Sequence, residues 1–131
     1  MRRYLACLLL CLPGAAGAQD CAAAMDQATL NQCAYQDWQA ADADLNAAYR
    51  QALALLQAWD ADLPDDLRGG ATALKEAQRA WITFRDKACE AEGFAMRGGS
   101  AEPLLIYGCM RQVTEDRARQ LWAMVDAYRD L

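Results

Sequence analysis

The chain has 131 residues, with 13 basic and 18 acidic side chains, no histidine and a formal net charge of -5 at pH 7. This acidic balance argues against nucleic acids and anionic membranes as partners and favours a basic protein. The lack of histidine, together with Ser100 as the single serine, excludes Ser-His-Asp and Cys-His catalytic sites.

Residues 1–18 have the pattern of a signal peptide. A basic start at Arg2 and Arg3 precedes a short apolar run, Pro13 breaks that run, and a small-x-small cleavage site ends at Ala18. The run is shorter than the roughly 20 apolar residues that cross a bilayer, and no lipoprotein box ends it. We therefore expect a periplasmic or secreted protein without a membrane anchor.

The predicted mature chain, residues 19–131, is a single domain that retains four cysteines. Without the two leader arginines, 11 basic residues remain against 18 acidic ones, a net charge of -7. An even number of cysteines in an exported chain indicates two disulfides, whereas the absence of histidine and of a CxxC motif disfavours a metal site or free thiols. Three pairings are possible. We favour local closure around the predicted helix ends, which joins Cys21 to Cys33 and Cys89 to Cys109.

Hydrophobic periodicity predicts three helices and no strand. The first helix runs from about residue 29 to 59, where apolar residues recur in alternating steps of four and three. Pro64 and Gly69 interrupt the chain before a second helix over about 71–92, and a glycine-rich segment separates this from a third over about 104–128. The predicted fold is all-α, an up-down-up three-helix bundle with a short N-terminal segment, stapled by the two disulfides.

The apolar faces of the second and third helices each carry an arginine. On the second helix this face also includes Gln78, and its members are Leu74, Gln78, Trp81, Ile82, Arg85 and Cys89. On the third helix Arg117 lies between apolar positions. Because an unpaired buried charge costs several kcal/mol, we predict a buried network in which Asp42 pairs with Arg85 or Arg117 and Gln78 completes it. Two alternatives remain: Arg85 extends to solvent along Trp81, or the arginines line an open, ligand-facing pocket.

The glycine-rich segment is the first candidate for binding. Arg97, Gly98, Gly99 and Ser100 can form a loop that presents backbone N–H groups beside a guanidinium. The alternative is a flexible turn that lets Cys89 and Cys109 approach each other.

Trp122 is the second candidate, because the helical wheel places it on the outer side of the third helix. An exposed tryptophan is a common interface anchor. Packing against the N-terminal segment around Met25 would explain it equally well. The other tryptophans lie on apolar faces and are predicted to be core residues.

The acidic run over residues 60–66 resembles a calcium loop only in composition. It lacks the central glycine and the final glutamate of an EF-hand loop, so we expect a solvated connection between helices. No metal site and no cofactor are predicted.

Specific sequence blocks resemble the LprI-like lysozyme inhibitor N-terminal domain family. The matching positions are Cys21, Cys33, Ala41, Asp42, Leu45, Asn46, Tyr49, Leu74, Gln78, Trp81, Arg85, Asp86, Cys89, Gly98, Gly99, Ser100, Cys109, Thr114, Arg117 and Leu121. The resemblance implies a small exported helical domain without catalytic residues, and it associates the chain with lysozyme inhibition.

Our leading hypothesis from the sequence is a non-catalytic binding module that inhibits a basic lysozyme-type muramidase. Its contacts would be the loop over 96–103 and, as a second surface, the acidic loop over 60–66. The alternative is a structural or adaptor protein of the cell envelope without inhibitory activity.

Overall fold

A computed structural model describes residues 20–130, and this part of the chain is helical without a strand. The three helices are α1 (Gln27–Asp62), α2 (Gly70–Gly93) and α3 (Glu102–Tyr128), and short 3₁₀ turns cover Cys21–Ala23, Asp65–Leu67 and Phe94–Met96. The predicted all-α fold is confirmed, and each helix lies within three residues of its predicted bounds. The signal peptide predicted for residues 1–18 lies outside the described residues.

Contacts at both ends of the bundle define its up-down-up topology. Near the start of α1, the Asn31 side-chain amide donates to the Ser100 carbonyl oxygen in the α2–α3 connection at 2.8 Å. At the far end of α1, the Trp59 ring packs edge-on against Tyr128 at the end of α3. The beginnings of α1 and α3 therefore share one end of the bundle, and α2 runs in the opposite direction.

The helices begin and end where local chemistry requires. The Asp26 carboxylate accepts the Thr29 backbone N–H at 2.9 Å and caps the start of α1. Leu63, which precedes Pro64, has an extended backbone and ends this helix. The third helix begins with Glu102 and Pro103, and proline is well tolerated in a first helical turn because its missing N–H would be unpaired there.

The core lies mainly between α1 and α3, and small residues bring these two helices close together. Ala48, Ala52 and Ala118 are almost completely buried, beside the larger Leu45 and Leu121. The alanine richness of the chain therefore serves close helix packing as well as helix propensity.

The second helix packs more shallowly, along a narrow apolar face. Leu74 is buried, but Ile82, which the sequence pattern placed on the same face, is 42% exposed. That placement was wrong because the face in contact with the core is narrower than the apolar arc. Consequently an open groove lies on each flank of α2.

Both predicted disulfides are present, with the predicted local pairing. Cys21 is joined to Cys33, and Cys89 is joined to Cys109. The first bond fixes the N-terminal 3₁₀ turn to α1, and the second fixes the end of α2 to α3. Both bonds lie at the end of the bundle that carries the α2–α3 connection, which we call the disulfide end.

Candidate functional site

Arg85 lies in a polar cluster between α1 and α2. Its side chain is nearly buried and forms ion pairs with Asp42 (3.3 Å) and Asp86 (2.8 Å), with a further Nε donation to Asp86 at 2.9 Å. The guanidinium carbon also lies 5.5 Å from the Trp38 ring centroid and 5.3 Å from that of Trp81. Two carboxylates and two aromatic rings thus stabilise this cation, so the cluster has a structural role.

Arg117 is held differently. Its Nε donates to the side-chain oxygen of Gln78 at 3.2 Å, and Nη1 donates to that of Gln120. Among the described residues no carboxylate forms a salt bridge with it. Partial burial lowers the pKa of the Arg117 guanidinium because the charged form is desolvated. Gln78 therefore joins Arg117 rather than Arg85, and the four predicted network residues separate into two pairs.

The candidate binding loop is ordered by hydrogen bonds. Glu102 accepts the Gly98 backbone N–H at 2.7 Å and pairs with Arg97 at 2.8 Å, while Gly99 N–H donates to the Met96 carbonyl oxygen. The hydrogen bond from the Gly98 N–H is the main reason that the pKa of Glu102 lies below its usual value. Burial of the carboxylate raises this pKa, but the hydrogen bond and the charge of Arg97 add to the lowering. Gly98 has φ 77°, a left-handed conformation that favours glycine.

These contacts change the interpretation of the loop. Its backbone donors at Gly98 and Gly99 are already used within the chain, so they do not form a vacant anion site. Ser100 is also fixed, because its carbonyl oxygen accepts from Asn31 of α1. These hydrogen bonds connect the loop to α1 and α3, and Phe94 and Met96 of the preceding 3₁₀ turn expose apolar surface beside it.

An aromatic groove lies at the same end of the bundle. It has a volume of about 390 Å³ and is lined by Ala28, Asn31, Gln32, Tyr35 and Tyr107. The ring of Tyr107 stacks on Trp38 and meets Tyr35 edge-on. Sequence reasoning did not identify this groove, because its two tyrosines come from different helices and neither lies in a recognisable motif.

Asp60, which lies in the last turn of α1 and begins the acidic run over residues 60–66, caps the N-terminus of α2. The Asp60 carboxylate accepts the backbone N–H groups of Gly69, Gly70 and Ala71 at 2.9–3.0 Å. These hydrogen bonds, that from Ala71 above all, lower the pKa of Asp60. The remaining acidic side chains of the connection, including Asp65 and Asp66, are exposed.

Trp122 does not project freely from the bundle. Its ring packs against the core cluster, and its indole N–H donates to the Asp44 carboxylate at 3.1 Å. The alternative contact with the Met25 segment is also wrong, because Met25 is almost fully exposed. The helical wheel failed here because Trp122 is large enough to reach α1 from the border of the apolar face.

Between residues 20 and 130 no helix is both long and apolar enough to cross a bilayer. The same residues include no cluster of three or more His, Cys, Asp or Glu side chains arranged to hold a metal ion.

Comparison with known proteins gives two matches. The sequence model of the family described as "Lysozyme inhibitor LprI" matches residues 18–121. The chain is also 46% identical over 127 residues to the "Uncharacterized protein R02472" of Rhizobium meliloti (strain 1021), an alignment that covers 92% of this chain and 91% of that protein. No solved structure was found to match the chain.

Proposed function

We propose that this chain, which belongs to the LprI lysozyme inhibitor family, is an exported binding protein that inhibits a basic lysozyme-type muramidase without catalysing a reaction. The family match over most of the chain is the observation that carries the proposal. The two disulfides and the leader pattern of residues 1–18 support export, since disulfides form and persist in oxidising compartments.

The side-chain chemistry supports binding rather than turnover. Glycoside hydrolysis needs one carboxylic acid with a raised pKa near a second, ionised carboxylate. Asp60 in the last turn of α1 and Glu102 in the first turn of α3 both have lowered pKa values, because they accept backbone hydrogen bonds. They hold the ends of helices and are poorly suited to donate a proton at neutral pH.

The loop over residues 96–103 and the adjacent 3₁₀ turn are the proposed contact surface. Phe94 and Met96 present apolar surface, and the guanidinium of Arg97 lies 4.6 Å from the centroid of the Phe94 ring. Aromatic residues and arginine are the side chains that most often dominate binding energy at interfaces. The Cys89–Cys109 disulfide and the Glu102 contacts hold this surface in place, which reduces the entropy lost on binding.

The acidic α1–α2 connection belongs to a different surface. It lies at the opposite end of α2, a helix of 24 residues that spans about 36 Å at 1.5 Å per residue. If the disulfide end inserts into the cleft of the enzyme, the acidic connection is therefore too far away to take part in the same compact interface. We propose that the acidic charge of the chain acts instead over a longer range and accelerates encounter with a basic enzyme.

The test is inhibition of purified c-type and g-type lysozymes by the mature chain, residues 19–131. We expect inhibition at about 20 mM salt and clear weakening at about 200 mM, because screening reduces electrostatic steering and attraction. If neither class of enzyme is bound or inhibited at low salt, the proposed function is wrong.

A matched pair of variants locates the interface. Met96 and Leu67 are both exposed apolar residues that end a 3₁₀ turn, and they lie at opposite ends of the bundle. We expect Met96→Gln to weaken inhibition at least about fivefold, as loss of an apolar interface anchor does, and Leu67→Gln to leave it unchanged. Equal effects of the two substitutions would exclude the disulfide end as the specific contact.

For the alternative, an adaptor of the cell envelope, an exposed Trp122 would be the natural interface anchor. Since Trp122 packs against α1 and its indole N–H is hydrogen-bonded, the side chain gives this alternative little support. Binding to an envelope protein with no effect on any lysozyme would nevertheless favour it.

A further inference from the structure

Arg117 differs from the other arginines of α3 and its C-terminal cap. Three of these form salt bridges with acidic residues of the same segment, in the pairs Arg111–Glu115, Arg119–Asp116 and Arg129–Asp126. Arg117 instead contacts only the neutral amide oxygens of Gln78 and Gln120. Its charge is partly desolvated and has no counter-ion within the described part of the chain.

The guanidinium of Arg117 lies in the groove between α2 and α3. This groove has a volume of about 220 Å³, and its apolar lining comes from Trp81, Phe84 and Val113. Phe84 is 62% exposed, an unusual state for a phenylalanine in mid-helix. The groove therefore combines a fixed cation with an uncovered aromatic side chain.

The groove is formally neutral, because its two charged side chains are Arg117 and Asp116. The Asp116 carboxylate pairs with Arg119 rather than with Arg117, so it leaves the Arg117 guanidinium without a salt bridge. The two glutamine amides orient the Arg117 guanidinium without reducing its charge, and they occupy only Nε and one position on Nη1. The remaining N–H donors of the planar group are available to a carboxylate, which guanidinium groups bind with two parallel hydrogen bonds.

From this geometry we propose that the α2–α3 groove is a docking site for a partner polypeptide. The partner inserts an acidic side chain onto Arg117 and lays a neighbouring apolar side chain against Phe84 and Trp81. Charge complementarity identifies this occupant, because an incoming carboxylate supplies the counter-ion that residues 20–130 do not provide. The site lies on the side of the bundle between α2 and α3, and its existence does not depend on lysozyme inhibition.

The first experiment uses the unmodified mature protein, labelled with ¹⁵N, and two peptides. The peptides are acetyl-Gly-Phe-Glu-Phe-Gly-amide and its Gln counterpart, which differ in one carboxylate. We expect the Glu peptide to shift the amide signals around Trp81, Phe84 and Arg117, with an affinity at least about tenfold above that of the Gln peptide. Equal affinity of the two peptides, or shifts located elsewhere, would overturn the proposal.

Two arginine variants test the role of the guanidinium. Arg117→Met removes the charge but keeps an unbranched side chain, and we expect it to bind the Glu peptide at least about tenfold more weakly. Arg111→Met is the control, since it removes an ion-paired arginine from the same helix and should leave binding unchanged. Circular dichroism checks that both variants fold. If Arg117→Met does not fold, the comparison of the two peptides on the unmodified protein tests the proposal by itself.

Two further measurements distinguish other occupants. Sodium acetate at the same concentration should produce much smaller shifts, because it lacks the apolar contact with Phe84; equal shifts would identify a simple anion site and contradict polypeptide docking. Sedimentation of the unmodified protein and of Arg117→Met should give the same monomeric mass. An association that Arg117→Met abolishes would identify a second copy of the chain as the occupant and overturn the proposal of a separate partner.

Discussion

Replacement of Arg85 by methionine tests whether the bundle depends on its buried cation. The side chain is 8% exposed and lies between α1 and α2, where it contacts two carboxylates and two indole rings. Methionine keeps most of the aliphatic volume but removes the charge and every N–H donor. The substitution therefore isolates the electrostatic and cation–π contributions from simple loss of packing.

The magnitude follows from how well each partner is solvated. The Asp42 and Asp86 side chains are 39% and 50% exposed, so both reach water after the substitution and each ion pair contributes only about 0.5 kcal/mol. The two cation–π contacts are more shielded and contribute about 1 kcal/mol each. We therefore expect Arg85→Met to lower the free energy of unfolding by about 2–3 kcal/mol, less than the 3–5 kcal/mol that follows when a fully buried partner is stranded.

Urea denaturation at neutral pH with the disulfides intact measures this change. Arg79→Met, an exposed substitution on the same helix, is the control and should change the free energy of unfolding by less than about 0.5 kcal/mol. In a double-mutant cycle, Arg85→Met and Asp86→Asn should couple by about 0.5 kcal/mol. If Arg85→Met is no more destabilising than Arg79→Met, the guanidinium does not stabilise the bundle and the reasoning is refuted.

Three further changes test the ends of the helices. Replacing both Cys89 and Cys109 by alanine should cost about 3 kcal/mol, the value of the chain-entropy model for a loop of their separation; a loss below about 1 kcal/mol in urea denaturation would contradict this. Because the pKa of Asp60 is lower in the folded than in the unfolded chain, its ionised carboxylate stabilises the fold at any pH above the unfolded pKa, near 3.8. This contribution disappears as the pH falls through the lower pKa of the folded state. Asp60→Asn should therefore be less stable than the parent at pH 7 and should lose less stability on acidification, as measured by circular dichroism. Equal acid-induced losses in the variant and the parent would refute the role of the cap. Gly93→Ala should lower the free energy of unfolding by about 1–3 kcal/mol, because its Cβ would lie 2.5 Å from the Ile106 Cγ1 atom. Adding Ile106→Ala to the same chain should relieve this clash. If the losses of the two substitutions are additive in thermal unfolding, the clash is not the cause.

The fold was largely predictable because its determinants are local in sequence. Apolar residues at helical spacing marked all three helices, and Pro64 and the glycines marked their ends. The disulfide pairing could be preferred from the position of the cysteines near helix ends, although the sequence left three pairings open. The depth at which α2 packs was not predictable, since it depends on how closely the alanines let α1 and α3 approach each other, and so Ile82 was placed wrongly.

The polar residues were harder to predict because their roles depend on contacts between helices. A helical wheel identified Arg85 and Arg117 equally, as inward-facing cations on apolar stripes. Only the spatial arrangement shows that Asp42 and Asp86 lie beside Arg85. The contribution of Asp86 was missed because it follows Arg85 directly in sequence, and neighbouring helical residues do not usually face each other. The contact between Asn31 and Ser100 was missed because the two residues lie 69 positions apart in the sequence. The contact of Glu102 with the Gly98 N–H was missed because a helical wheel does not describe a loop backbone.

The contrast between the two arginines indicates where the chain is complete by itself and where it is not. Around Arg85 every strong interaction is supplied within the chain, and a ligand would have to displace a carboxylate to reach it. Around Arg117 the described residues supply orientation through two neutral amides but no salt bridge. Desolvation of a cation without a counter-ion lowers stability, so a purely structural role would be served better by an apolar side chain at this position. The arrangement is consistent with a partner that supplies the missing carboxylate, and for this reason we place a binding surface at Arg117 and a structural cluster at Arg85.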